Sequence, residues 1–476
     1  MAGRFSSGEV MARPGVYFRE TSTGGAELAG ARNGIVAVAF QANWGPLGEI
    51  VNLESPADIL RAYGDEAVAG SKTSILEKIF LGGASLIKAI RVGTGGTKAA
   101  ITLKDTTAET AVSVITLTAK YAGTRPLSVT IKDSLSITTK RECIIYAGTM
   151  ELCKVLFAKG DAGEVDALVA AINASEGCVV TAAKLAAGNG IMAAVTQTVF
   201  TTAGASPTIT DADYSAAFTV LESSKWNTLC VDSDDTGVHA LVASFITRAN
   251  DAGLMAIAVI GEPTSVAYET RKADAAAFNS QNLVYVLNGF NIGGTDYEGF
   301  EAAAVVAGLI AYLPANDSPT HKAIPGAATV VGPLTNTEVV ECLQSGAIVF
   351  TASAAGAVWI EQGINTLVTL SADQDAGWKK IRRTKTRYEL IQRILESAED
   401  VIGSVGNDSN GRSTIISIAN GIINSMISEG KLVSGAVEED PANPAAGDSA
   451  WFVISIVDLD SIEKVYITYR FSFTEE

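Results

Sequence analysis

Between residues 226 and 313, short apolar runs alternate with longer amphipathic ones, and this alternation constrains the fold more than any other feature of the chain. Residues 226–231, 254–260 and 283–287 are rich in Val, Ile and Leu and short enough to read as buried strands. Residues 236–252, 265–279 and 296–313 read as the helices that follow them. Strands that alternate with helices imply a parallel sheet with right-handed crossovers, because a parallel return needs a connection of a dozen residues or more.

Other stretches have different textures. Up to about residue 25 the chain is polar and rich in Gly and Ser, apart from one extended segment at 16–20 holding Val16, Tyr17 and Phe18. A strand at 34–40 leads into the turn Asn43-Trp44-Gly45-Pro46. A helix begins near Ser55-Pro56, with Ser55 as cap and Pro56 at the first helical position. A buried strand at 86–92 runs into Gly93-Thr94-Gly95-Gly96, a turn or domain hinge. From 97 to 204, β-branched residues alternate in short runs, which predicts a β-rich insertion with one helix near 165–174. The last part holds helices at 377–402 and 410–429, then strands at 451–457 and 462–474.

Composition excludes several classes. The chain has 476 residues, 47% hydrophobic and only 18% charged, a globular profile with room for more than one core. A net charge of −17 repels nucleic acid and anionic membrane, so neither is an expected partner. Five cysteines without a CxxC spacing read as free thiols in a reducing cytoplasm. Residues 1–10 lack the apolar core of a secretory signal, and the longest apolar run, 302–313, falls short of the roughly 20 residues that span a bilayer. A soluble protein made in the cytoplasm is expected.

A search for chemistry finds no convergent site. The two histidines, His239 and His321, lack ligand partners at metal spacing. The acidic run Asp232-Ser233-Asp234-Asp235 ends a strand, but Ala243 stands where a calcium loop needs Glu. It reads as a solvated strand-to-helix turn. Asp232, His239 and Ser353 could be assembled into a triad order, without any GxSxG nucleophile turn to support it. Neither 93–96 nor 291–295 has the spacing of a phosphate cradle. No cofactor, metal or catalytic residue is expected.

Two features look outward. Val465, Ile467, Tyr469, Phe471 and Phe473 alternate strictly with more polar neighbours close to the chain end. This long strand either pairs with 451–457 within the chain or is donated to a neighbouring subunit. The second feature is basic. Lys379, Lys380, Arg382, Arg383, Lys385, Arg387 and Arg393 crowd the start of a helix, against its dipole and against the chain's net charge. Either a solvated face or a surface for an acidic partner accounts for them.

Motifs spread from residue 12 to 412 resemble those of contractile phage tail sheath proteins. They are Ala12-Arg13-Pro14-Gly15-Val16-Tyr17, Asn43-Trp44-Gly45-Pro46, Ser345-Gly346 and Glu361-Gln362-Gly363-Ile364-Asn365-Thr366-Leu367. Trp378-Lys379-Lys380-Ile381-Arg382 and Asn410-Gly411-Arg412 follow in family order. The chain looks most similar to sheaths of PBSX-like defective phages and R-type bacteriocins of Gram-positive bacteria. The resemblance implies an α/β multidomain protein with an N-terminal linking arm (1–25), the N-terminal part of the core (26–96) and a β-rich outer insertion (97–205). A subtilisin-like α/β middle domain without a working triad (206–360), an α+β tube-facing C-terminal domain (361–460) and a C-terminal linking arm (461–476) complete it.

Such a subunit is expected to stack in hexameric rings as a helical sheath around an inner tail tube protein, with baseplate and terminator proteins at the ends. It needs no cofactor, nucleic acid or membrane, and contracts once to drive the tube through a target envelope. Assembly in the bacterial cytoplasm and release on lysis within a phage tail or phage-tail-like particle go with this. Val16, Tyr17 and Phe18, with Val465, Ile467, Tyr469, Phe471 and Phe473, are then the inter-subunit arms. Lys379, Lys380, Arg382, Arg383, Lys385 and Arg387 are the expected tube contact. The alternatives are a degenerate subtilisin-like hydrolase using Asp232, His239 and Ser353, or another tail or capsid assembly protein.

Overall fold

The structure, a computed structural model, describes residues 2–4, 16–18, 34–64, 71–160, 163–399, 401 and 403–471. A seven-stranded sheet forms its centre, in the order Ala347–Ile348, Leu283–Val286, Ile257–Gly261, Thr228–Val231, Ile35–Phe40, Leu86–Arg91, Ile50–Leu53. All neighbours are parallel except Ile50–Leu53, which runs antiparallel to Leu86–Arg91. Every residue of Ile35–Phe40 is buried, because helices cover both faces. Val36, Val38 and Phe40 face a core shared with the helices Ser74–Leu81 and Phe300–Tyr312. Ile35, Ala37 and Ala39 face the opposite core, under Asp211–Leu221 and Thr236–Asp251.

Phe300–Tyr312 is buried on all sides from Ala302 to Ala311, and its closest contact with the preceding layer is backbone on backbone. A Cβ at Gly308 would lie 2.2 Å from the Ile79 carbonyl oxygen, and one at Gly82 would lie 2.2 Å from that of Val305. The helix starts later than the expected residue 296. Thr295–Tyr297 instead pairs antiparallel with Gly289–Ile292. Gly299, at φ 55, then turns the chain so that the Phe300 amide donates to Asp234 at 2.7 Å. That cap, absent from any local pattern, sets the boundary.

Residues 98–199 build a second unit. One sheet orders Met150–Ala158, Lys140–Ala147, Ser128–Asp133 and Val195–Val199; the other orders Val180–Lys184, Ser113–Ala122 and Lys98–Lys104. Both sheets and the helix Glu164–Ala174 share one apolar core. The chain enters and leaves this unit side by side, through bridges Thr94 to Thr208 and Thr97 to Ala205. Trp44 belongs to the core of this unit, although in sequence it lies well before it, just after the central-sheet strand Ile35–Phe40. Its ring meets Tyr121 edge-on at 5.4 Å, and Arg91 ties the turn down by donating to the carbonyls of Gly45 and Ala122, each at 2.8 Å. The Asn43–Pro46 turn is thus the dock of the β-rich unit.

The C-terminal part has helices Ile381–Glu399 and Ser409–Ser428 and an antiparallel pair, Leu432–Glu439 with Phe452–Asp458. This corrects two expectations. Strand 451–457 has a partner other than 462–474, and residues 462–471 join no strand. Residues 472–476, and with them Phe473, lie outside the described residues. At the other end, Val16–Phe18 pairs in parallel with Ala2–Arg4. Most of the expected N-terminal arm, including the Ala12–Gly15 portion of its motif, also lies outside the described residues.

Candidate assembly surfaces

The C-terminal segment divides at residue 463. Before it, acidic side chains bind the chain to the basic helix start. Arg383 grips Asp458, with its Nη2 donating at 2.7 Å, and also meets Asp375 at 3.2 Å. Lys380 Nζ donates to Asp460 at 2.7 Å and sits 3.3 Å from Glu463. Glu463 also accepts from Gln362 at 2.9 Å and Thr320 at 3.2 Å. Burial pushes the Asp460 carboxyl up, but the Lys380 hydrogen bond and nearby cations win, leaving it below its ordinary value. The root of the segment is pinned.

Beyond the root, nothing within the described residues covers the chain. Val465 is 72% exposed, Ile467 65%, Tyr469 73% and Phe471 83%. The Tyr469 and Phe471 rings lie 6.3 Å apart and nearly parallel. That spacing matches the roughly 6.6 Å between alternate residues of an extended chain. A row of large apolar side chains in this state is costly in water at roughly 25 cal/mol per Å². A partner that buried the row would remove that cost.

The pair Leu432–Glu439 and Phe452–Asp458 stands next to this root. It is a sheet of two strands, so each has one edge without a strand neighbour among the described residues. Only one face packs on the helix Ser409–Ser428, through Leu432, Val437 and Ile456. Val433, Val453, Ile454 and Val457 are exposed.

The remaining cations of the basic helix also have internal partners. Lys379 donates to the Val368 carbonyl at 2.9 Å, and Arg382, only 4% exposed, donates to that of Asn316 at 3.0 Å. Lys385 caps the end of Phe300–Tyr312 by donating to the carbonyls of Ile310 and Leu313, and burial pushes its ammonium down to about 7. Arg387 lies over the Trp378 ring, 3.9 Å from its centroid. These side chains are engaged within the chain and hold the domain together. The sequence marks Asp458-Leu459-Asp460 only as the joint between two strands, though an acidic cluster following a basic one is a signal of their pairing.

The acidic run after Thr228–Val231 is structural. Asp235 caps Thr236–Asp251 through the Gly237 amide at 2.7 Å, and Asp234 caps Phe300–Tyr312. Burial lifts Asp234 to about 6. Asp232 is fully buried rather than solvated, accepting from Tyr214 at 2.6 Å and the Gln41 amide at 2.8 Å. His239 Nε2 meets the Ser233 carbonyl at 2.9 Å, and Ser353 Oγ accepts from the Ala357 amide at 3.0 Å. Each proposed triad member is engaged elsewhere, and no proton relay connects them. Among the described residues, no group of three His, Cys, Asp or Glu could hold a metal ion. None of their helices is long and apolar enough to cross a membrane.

Comparison with known proteins finds sheath proteins. Residues 208–366 match the family model described as the phage tail sheath protein central domain. The phage-like element PBSX protein XkdK of Bacillus subtilis is 24% identical over 426 residues, covering 84% of this chain and 80% of that protein. The crystal structure of a sheath tail protein from Desulfitobacterium hafniense superposes with a TM-score of 0.66 at 22% identity, over 94% of this chain and 100% of that one. The helical sheath of the anti-feeding prophage in its contracted state gives 0.54 at 10% identity, over 97% and 99%. The fold is mixed α/β and multidomain, similar to that of sheath proteins. Residues 208–366 are those that match the sheath family's central domain, and the chain as a whole is similar to sheath proteins along most of its length.

Proposed function

We propose that the chain is the structural subunit of a contractile tail sheath, which polymerises around an inner tube and shortens to drive that tube through a target envelope. The C-terminal segment carries the reading: it is pinned at its root, apolar on alternate residues and exposed to its last described residue. An extended segment of this kind gains most by adding to the edge of another sheet, where backbone hydrogen bonds and alternate side chains are both satisfied. The two-stranded sheet at 432–439 and 452–458 supplies such edges, so the arm of one subunit extends this sheet in a neighbour. Val465, Ile467, Tyr469, Phe471 and Phe473 form that arm, and Val16, Tyr17 and Phe18 form a second.

Sixfold rings, the inner tube as inward partner, and baseplate and terminator proteins at the ends belong to the same proposal. So do assembly in the bacterial cytoplasm, release on lysis, and the domain limits given above, with a subtilisin-like middle unit. Lys379, Lys380, Arg382, Arg383, Lys385 and Arg387 contact the tube only by exchanging internal partners. Lys380 and Arg383 are suited to this, since acids on a tube would compete with Asp458, Asp460 and Glu463 for them. Tube binding and arm anchoring would then be coupled.

Negative-stain microscopy of the purified chain should show tubes or stacked rings. Removing residues 465–476 should leave soluble monomer with an unchanged circular dichroism spectrum. Polymers of normal length from the truncated chain would rule out the arm.

A further inference from the structure

Three of the five cysteines, Cys143, Cys153 and Cys178, lie in the β-rich unit, and two of them meet. Cys153 sits on Met150–Ala158, just past a register shift against Lys140–Ala147. Cys178 sits two residues before Val180–Lys184, in the other sheet. Their sulfurs are 2.7 Å apart. Two thiols in van der Waals contact stand roughly 1 Å farther apart than this, whereas a disulfide needs about 2.05 Å. The sulfurs need to approach by only about 0.6 Å to reach bonding distance.

From this geometry we infer that Cys153 and Cys178 form a redox-sensitive disulfide site, which staples the two sheets of the β-rich unit when the chain meets a small-molecule disulfide. Cys153 is partly exposed and is the point of entry, while Cys178 is buried behind it. Cys153 passes its proton to the Cys178 thiolate beside it as it attacks one sulfur of the oxidant, forming a mixed disulfide and releasing one small thiolate, which takes that proton from Cys178. The Cys178 thiolate then attacks the Cys153 sulfur and expels the second. Two protein thiols are oxidised, one small disulfide is reduced to two thiols, and the two protein protons end on those products.

The surroundings favour this pair over the third cysteine. The shared hydrogen bond holds the Cys178 thiol down to about 7 and pushes that of Cys153 up, so the pair gives up its first proton at Cys178. Burial pushes the Cys143 thiol up to about 12, and it stays protonated. The bond would also close a loop spanning the helix Glu164–Ala174, a length over which a cross-link restricts the unfolded chain substantially. Nothing in this chemistry depends on whether the chain assembles.

Full-length protein incubated with oxidised glutathione at pH 8, then denatured and titrated for thiols, should show two fewer than the five of the reduced chain. Peptide mapping should find Cys153 joined to Cys178. The melting transition of the β-rich unit should rise by about 5 °C or more, and fall back on reduction. Cys143→Ser should lose the same two thiols, whereas Cys178→Ser should retain glutathione on Cys153. Five free thiols after oxidation, or a cross-link through Cys143, would overturn the assignment. The wild-type measurement decides the matter even where a variant folds poorly.

Discussion

Single side chains carry much of the coupling between units in this molecule. Trp44 fills the core of the β-rich unit from a turn that Arg91 holds to the central sheet. Trp44→Ala removes that filling, and losses of large aromatic side chains from cores typically cost ~3–5 kcal/mol. The β-rich unit should therefore melt or be cleaved by protease ahead of the central sheet, which limited proteolysis with mass spectrometry would detect. Lys385 presents the opposite situation, a charge taken inside. Its ammonium titrates near about 7 in the folded chain, against an ordinary value of 10.5. Between those values the unfolded chain binds more protons, so stability from this group rises with pH across that interval, and its cost is fullest below about 7. Lys385→Met should remove this dependence. Chemical denaturation at pH 6.5 and pH 9 should show a smaller rise in stability for the variant than for the parent.

At the scale of elements, the helix pair Ser74–Leu81 and Phe300–Tyr312 comes closest at two glycines, Gly82 and Gly308. Gly308→Leu would drive a side chain into the Ile79 carbonyl, and overpacking of this kind typically costs ~1–3 kcal/mol. A lower urea midpoint with an unchanged slope would match that expectation. The sequence made the buried strands of the central sheet and the amphipathic helices legible, because each has one period and local caps. It hid elements whose period is broken. Met150–Ala158 and Val195–Val199 both carry register shifts, the latter with Gln197 at φ 42. Leu432–Glu439 also shifts register, and so strand 451–457 was matched to the wrong partner. The apolar alternation at 465–471 was readable, but its exposure was not, since pattern reports which face is apolar and not what covers it. The basic helix misled for a related reason: composition shows cations, while their acids lie some 75 residues further along, as for Arg383 and Asp458.

For the whole molecule, charge and shape act against each other. A net charge of −17 makes neighbouring copies repel, while the exposed C-terminal row favours their contact. Raising salt from about 50 mM to about 500 mM shortens the Debye length from roughly 14 Å to about 4 Å, weakening the repulsion more than any apolar contact. Polymerisation followed by light scattering should therefore quicken several-fold. Slower assembly at high salt would mean that ion pairs, rather than the apolar arm, dominate the joint. The pinned root has a further consequence. The ion pairs at Asp458, Asp460 and Glu463 hold the base of the segment while its tip stays off its own two-stranded sheet, so that under the proposed joint of arm to neighbouring sheet, donor and acceptor remain unreacted in the same molecule. In the language of polymer chemistry this is an A–B monomer. Whatever it builds has matched stoichiometry throughout, a built-in direction, and two chemically different ends, one with spare donors and one with spare acceptors, so that no single stopper can close both.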